Sequence, residues 1–129
     1  MHLGRITRGD SAAFLVAEPT LGRLAGSCYL SLGRYGQAES LLADTAIRLQ
    51  DRPKSLAIVL ANLALSHLRQ RQIDAATGVL HQAIDITART RGGGGMNLVF
   101  GVGRELAPWR HEPVVQHVHD RLHDLMTSP

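Results

Sequence analysis

The sequence predicts an all-α protein built from stacked helical hairpins. Apolar residues recur at three- and four-residue spacing along most of the chain, which is the period of an amphipathic helix rather than of a strand. Aromatic residues make up only 4% of the 129 residues, so the core must consist of Leu, Ala, Val and Ile, a mixture that suits close-packed helices. Breakers divide the pattern into segments of helix length. They are Pro19, Gly33, Pro53, the glycine run 92–95, Pro108 and Pro113.

The first two predicted helices cover residues 20–32 and 35–49. Pro19 suits the first turn of the first helix, and Gly33 ends that helix. The second helix has an inward stripe at three- and four-residue spacing, which comprises Ala38, Leu41, Leu42 and Thr45. A turn at residues 51–53 then ends this pair.

The third and fourth predicted helices cover residues 54–69 and 74–90. Each carries one apolar stripe at helical spacing. The stripe of the third helix comprises Ile58, Leu60, Leu63, Ala64 and Leu68. The stripe of the fourth comprises Ala76, Val79, Leu80, Ala83 and Ile84. These two helices therefore form a second predicted pair.

The remaining segments are less regular. A fifth helix is predicted over residues 96–106 despite Gly101 and Gly103, each of which costs up to about 1 kcal/mol relative to Ala in a helix. Pro113 opens a last helix with one apolar stripe, formed by Val115, Val118, Leu122 and Leu125. We expect residues 1–19 to be partly irregular or an incomplete helix.

The middle of the chain repeats itself at a shift of 38 residues. Leu30 then falls on Leu68, Ala38 on Ala76, and Leu42 on Leu80, while Gly26 falls on Ala64 and Thr45 on Ala83. Because small and large positions agree, we expect two stacked helix–turn–helix repeats, at residues 20–52 and 53–91. A glycine-rich turn and a C-terminal capping helical pair then occupy residues 92–129.

The segment AGSCYLSLGRYGQAESLLADTA resembles the tetratricopeptide pattern. The matching positions are Gly26, Tyr29, Gly33, Tyr35, Ala38, Leu42 and Thr45 in the first repeat, and Ala64, His67, Ile73, Ala76, Leu80 and Ala83 in the second. The resemblance implies a tetratricopeptide-like α-solenoid with a divergent C-terminal capping pair. The second repeat has Arg71 where the turn glycine is expected, so we expect its turn to be less tight.

The C-terminal third is similar to the end of a group of actinobacterial regulators, and the string GRELAPWRHEPVVQHVHDRL carries this likeness. Those proteins join an Xre-type helix-turn-helix DNA-binding domain to tetratricopeptide-like repeats. The resemblance implies the sensory or oligomerisation part of a bacterial transcriptional regulator. No segment here offers a recognition helix, and the arginines are scattered at a net charge of +3, so direct nucleic-acid binding by this chain is not expected.

Other classes of function have less support in the sequence. Residues 1–19 lack the pattern of a signal peptide, and the longest apolar stretch is far shorter than the roughly 20 residues of a membrane span. We therefore expect a cytoplasmic protein without membrane contact. No nucleophile–base pair or phosphate-loop motif emerges, so neither an enzyme nor a cofactor is expected. Cys28 is interpreted as a buried structural thiol.

A zinc site is the alternative that the histidines suggest. His119 and His123 are four residues apart, so on one helix they can grip the same ion. No Cys or Glu completes a ligand set. The interpretation that we favour places both histidines beside the apolar stripe of the last helix, and no metal is predicted.

The resemblance to tetratricopeptide proteins implies that a ligand binds the concave face formed by the first helix of each repeat. On that face the sequence places Arg23 and Ser27 in the first repeat and Asn62, Leu65 and Arg69 in the second. The Asn62 amide can clamp one peptide unit, and Arg23 and Arg69 can meet a carboxylate. The expected partner is therefore a peptide or protein, and a purely structural homodimerisation unit is the alternative.

Two further expectations concern the ends of the stack. Two repeats are short for a solenoid, and the N-terminal end lacks an obvious polar cap. We expect an exposed apolar edge there, which is covered by self-association or by a missing N-terminal part. At the other end, Trp109 lies between two prolines, and we expect it to plug the stack rather than to anchor a partner.

Overall fold

The computed structural model describes residues 19–91 and 94–128, and within these ranges it contains six α-helices and no strand. They are α1 (Pro19–Ser31), α2 (Tyr35–Arg48), α3 (Pro53–Arg69), α4 (Ile73–Thr90), α5 (Gly95–Glu105) and α6 (Pro113–Thr127), with a short 3-10 helix at Ala107–Trp109. The all-α prediction is confirmed. Apart from Pro19, the predicted N-terminal segment 1–19 lies outside the described residues.

The helices pack as three consecutive hairpins: α1 with α2, α3 with α4, and α5 with α6. The first helices of successive hairpins also touch, α1 on α3 and α3 on α5, while α2 packs on α3 and α4 packs on α6. One aliphatic core runs through all three hairpins. Its largest fully buried apolar side chains are Leu42, Leu80, Ile84, Leu106, Val59, Val99, Val115 and Val118.

The turns inside the first two hairpins are the same, which makes the expectation of a looser second turn wrong. Gly33 and Arg71 occupy the same place, with φ values of 75° and 62°. In each turn this residue donates its N–H to the carbonyl three residues earlier, and the next residue donates to the carbonyl five residues earlier, over 2.8–3.1 Å. Arg71 therefore adopts a left-handed conformation that costs a non-glycine residue about 1–2 kcal/mol. Its guanidinium lies 5.9 Å from the centre of the Trp109 ring, within the range of a cation–π contact.

In the first and last hairpins, a glycine on the first helix leaves room for a leucine side chain of the second helix. A Cβ added to Gly26 would collide with Leu42, and one added to Gly103 would collide with Leu122. Gly95 makes a similar approach between hairpins, where an added Cβ would lie 3.0 Å from the Cβ of Ala57. The low helix propensity of Gly103 is thus offset by a closer packing of α5 against α6.

Candidate functional site

The five residues predicted to bind a ligand lie on two neighbouring parallel helices. Arg23 and Ser27 are one turn apart on α1, while Asn62, Leu65 and Arg69 follow each other at three- and four-residue spacing on α3. Residues at this spacing share one side of a helix, so each set forms a stripe. Because α1 packs on α3, the two stripes belong to neighbouring elements of the stack.

The two stripes meet at Ser27 and Asn62. The Asn62 side-chain nitrogen lies 3.5 Å from the Ser27 hydroxyl oxygen, the far limit of a hydrogen bond, and Asn62 is half-buried. Such a long contact holds the amide only weakly. A primary amide has two donors and one acceptor, so Asn62 keeps hydrogen-bonding capacity for a further group.

Arg69 already has a protein partner, which the sequence did not indicate. Its Nη2 atom donates to the Glu105 carboxylate over 2.6 Å, and this bond joins the ends of α3 and α5. Both side chains are about two-fifths exposed. An exposed pair of this kind stabilises a protein by only about 0–1 kcal/mol, so a ligand carboxylate competes with Glu105 rather than meeting a free guanidinium.

A cavity of about 340 Å³ lies next to the Arg69–Glu105 pair. Its wall includes Tyr35, Arg71 and Trp109. Trp109 is half-buried and packs against the aliphatic core, while one part of its ring lines this cavity. Part of the indole therefore packs against the core, as expected of a residue that plugs the stack. The rest of the ring offers an aromatic surface beside Arg69 and Arg71.

Arg23 and Leu65 complete the predicted set. Leu65 is half-buried and packs against the core, so only part of its side chain is available to a ligand. Arg23 is half-buried on α1, one turn before Ser27. Among the predicted residues, the structure brings Ser27 and Asn62 into contact, and it places Arg69 about 10 Å further along α3, at 1.5 Å per residue.

The thiol on α1 lies in a different environment from the one that the sequence predicts. Cys28 is exposed, so its interpretation as a buried thiol is wrong. It shares a stripe with Leu21 and Leu24, of which Leu24 is 54% exposed. This stripe faces away from the next hairpin, because the residue 38 positions after Leu24 is Asn62, which turns towards α1 and contacts Ser27. It is an exposed apolar edge of the kind expected at the N-terminal end.

One of the two histidines considered for a metal site is bonded to the neighbouring helix α5. The His119 Nε2–H donates to the Gly103 carbonyl oxygen over 2.9 Å. His119 and His123 both line a groove between α5 and α6. Across residues 19–91 and 94–128, no three His, Cys, Asp or Glu side chains come together in a way that would hold a metal ion.

A second histidine cluster, which sequence reasoning missed, joins α4 to α6. Arg121 donates from Nη1 to the Nδ1 atom of His81 over 2.9 Å, and its Nη2 atom pairs with Asp85. The ring of His117 lies 4.7 Å from that of His81. Burial is the main cause that lowers the pKa of His81 from its usual 6.5, and Arg121 and His117 lower it further, against the opposing effect of Asp85. These residues are 36–40 positions apart, so no local motif reveals them.

Comparisons with known proteins add no family to this description. No protein-family model, curated protein or solved structure matches the chain. None of the helices in the described part of the chain combines the length and the apolarity that a membrane crossing requires. The contact of α1 with α3 at Ser27 and Asn62 is therefore the main pointer to a function.

Proposed function

We propose that this chain is a tetratricopeptide-like α-solenoid module that binds an extended peptide or protein segment along α1, α3 and α5. The observation that carries the proposal is the meeting of Ser27 and Asn62 across two helices, in line with Arg69. A weakly held amide between two helices suits the recognition of a main-chain peptide unit, since such a unit presents one donor and one acceptor.

The spacing of the polar groups fits a short extended segment. From Asn62 to Arg69 the distance along α3 is about 10 Å, which an extended chain covers in about three residues at 3.3 Å each. A peptide held at its backbone by Asn62 would therefore place an acidic side chain near Arg69. That carboxylate would replace Glu105 in a bidentate contact with the guanidinium.

The resemblance to actinobacterial regulators suggests the setting of this binding. We propose that the module is the sensory or oligomerisation part of a bacterial transcriptional regulator and works in the cytoplasm. Its partners are a peptide or protein and a second copy of the chain, and it needs no cofactor or direct contact with nucleic acid or membrane. In this setting the module is a binding protein rather than an enzyme.

The alternative is a homodimerisation unit without a separate ligand. The exposed stripe of Leu21, Leu24 and Cys28 on α1 favours it, because apolar side chains that lack cover in one chain are buried when two chains meet. In that case α1 contributes the dimer contact, and the stripe containing Arg23 and Ser27 is covered along its edge.

A random-peptide library displayed on phage and panned against the chain tests the proposal. We expect enriched peptides that carry an acidic residue and whose affinity falls about tenfold in Asn62→Ala, the effect of losing one or two hydrogen bonds to a half-buried amide. Gln82→Ala, which removes an exposed amide from α4, is the matched control and should leave the affinity unchanged.

Two results would count against peptide binding. One is enrichment of peptides that bind wild type and Asn62→Ala equally well. The other is the absence of enriched peptides together with a dimer in sedimentation velocity that Leu24→Glu dissociates, and this result would favour the homodimerisation unit.

A further inference from the structure

The cavity beside the Arg69–Glu105 pair is built from all three hairpins. Its volume is about 340 Å³, within the range of sites that hold small molecules in proteins. Tyr35, the first residue of α2, contributes one part of the wall, and the end of α3 with the turn that follows contributes another. Trp109, from the connection after α5, contributes a third. Asn62, the centre of the proposed peptide site, does not line this cavity.

Arg71 lies in this wall at a position where the first hairpin has a glycine. Gly33 and Arg71 occupy the same place in their turns, and both have a left-handed backbone. The strain that this backbone imposes on an arginine is similar in size to the gain from its cation–π contact with Trp109, 5.9 Å from the ring centre. What the arginine adds over a glycine is therefore a guanidinium at the cavity rather than stability.

The charges around the cavity leave one guanidinium without a counter-charge. Three charged side chains line it, those of Arg69, Arg71 and Glu105. Arg69 is paired with Glu105 over 2.6 Å, and within residues 19–91 and 94–128 no carboxylate lies within ion-pair distance of Arg71. A single negative charge balances the cavity, whereas a dianion would be repelled by Glu105. The planar fork of a guanidinium matches a carboxylate, to which it can donate two parallel hydrogen bonds.

Aromatic side chains supply the rest of the recognition. The Trp109 ring is half-buried and turns one part towards the cavity, and Tyr35 is also half-buried. Aromatic rings pack favourably on one another in offset-stacked or edge-to-face arrangements, with ring centres about 4.5–7 Å apart. Since the Arg71 guanidinium lies 5.9 Å from the centre of the indole, a carboxylate attached to a small ring can reach the guanidinium while that ring packs on the indole.

We propose that this cavity binds a small aromatic monocarboxylate, whose carboxylate is held by Arg71 and whose ring packs on Trp109. The ligand class is that of benzoate and its ring-substituted derivatives. The site goes beyond the proposed peptide face and does not depend on it, because Ser27 and Asn62 lie outside the cavity.

The indole N–H signal of Trp109 in the ¹⁵N-labelled full chain tests the proposal. Trp109 is the one tryptophan among the 129 residues, so this signal reports on the cavity directly. Titration with benzoate should shift it saturably. Benzyl alcohol keeps the ring without the charge, and cyclohexanecarboxylate keeps the charge without the aromatic ring. Each should bind at least about fivefold more weakly than benzoate, because each loses one of the two contacts.

Variants of the chain assign these contacts. Arg71→Gln should weaken benzoate binding at least about tenfold and leave benzyl alcohol binding unchanged, since only the charged contact is lost. Glu105→Gln should strengthen benzoate binding about twofold or more, because a negative charge leaves the wall. Arg48→Gln, at the opposite end of α2 from Tyr35, is the matched charge control and should change neither. Asn62→Ala should leave benzoate binding intact, so failure of this site is distinguishable from failure of the proposed peptide face.

Three results would overturn the proposal. The first is the lack of a saturable change in the indole signal with benzoate, in a chain whose circular dichroism shows an intact fold. The second is an equal benzoate affinity of wild type and Arg71→Gln. The third is tighter binding of phenyl phosphate, which carries nearly two negative charges at about pH 7.5, than of benzoate, since the cavity would then select a dianion.

Discussion

The first and last hairpins pack their two helices together in the same way but join them by different connections. In both, a glycine on the first helix accepts a leucine from the second: Gly26 accepts Leu42, and Gly103 accepts Leu122. The first hairpin joins its helices by a tight turn, whereas the last one uses a longer connection that contains a 3-10 helix. The close approach of the helices, rather than the turn, is therefore what the two hairpins have in common.

The largest effect is expected from filling that close approach. Gly26→Ala should lower the free energy of unfolding by about 1–3 kcal/mol, because its Cβ collides with both the Cγ and the Cδ2 atoms of the fully buried Leu42. Gly78→Ala is the matched control, since a Cβ added there meets nothing within 4 Å in the exposed part of α4. It should raise the stability by about 0.5–1 kcal/mol through helix propensity. Urea unfolding followed by circular dichroism measures both, and equal effects would show that Gly26 is not a packing residue.

The turns allow a smaller and more specific comparison. Gly33→Ala should lower the stability by about 1 kcal/mol, because it forces a side chain into the left-handed region. Arg71→Gly should change the stability by less than about 0.5 kcal/mol, since relief of the same strain is offset by loss of the cation–π contact with Trp109. Trp109 fluorescence should nevertheless shift in Arg71→Gly. A loss of more than about 1 kcal/mol in that variant would mean that Arg71 holds the turn by other contacts.

The smallest expected effect concerns pH and the contact of α4 with α6. Burial, Arg121 and His117 lower the pKa of His81 in the folded state below 6.5, so the unfolded chain binds this proton more readily. The stabilising contribution of neutral His81 is therefore complete above pH 6.5 and is lost as the pH falls below that value. The bond from Arg121 agrees, because Nδ1 can accept it only when that nitrogen is unprotonated.

Thermal unfolding between about pH 7.5 and about pH 5.5 checks this dependence. The decrease in Tm on acidification should be smaller in His81→Gln than in the wild type. His111→Gln, which alters an exposed histidine in the connection before α6, is the matched control and should keep the wild-type dependence. The same pH dependence in His81→Gln and wild type would contradict the role given to His81.

Much of the helical organisation follows from the sequence, because Pro and Gly punctuate a strong apolar period. The bounds of the helices agree with the predicted ranges to within one residue, as for Tyr35–Arg48 against 35–49. The turn at Arg71 was misjudged because its left-handed backbone is supported by Trp109, a residue 38 positions away. Burial of Cys28 was also misjudged, since an apolar stripe does not reveal which side of the stack it faces.

The candidate site was predictable only in part. The sequence places Ser27 and Asn62 on one expected face, but it does not predict the contact between them. The partner of Arg69 was not predictable, because Glu105 lies on a helix outside the two repeats and is the one acidic residue of that helix. The cluster around His81 was missed for the same reason, as its members belong to α4 and α6.

The peptide-binding face that we propose on α1 and α3 is centred on Asn62. Backbone amide chemical shifts in ¹⁵N-labelled protein, recorded during titration with a library-selected peptide, test it most directly. We expect the largest changes at Ser27, Asn62 and Arg69, with small changes around Leu24 and Met126. Changes confined to the edge around Leu24 would contradict a face centred on Asn62 and assign binding to the exposed apolar stripe of α1.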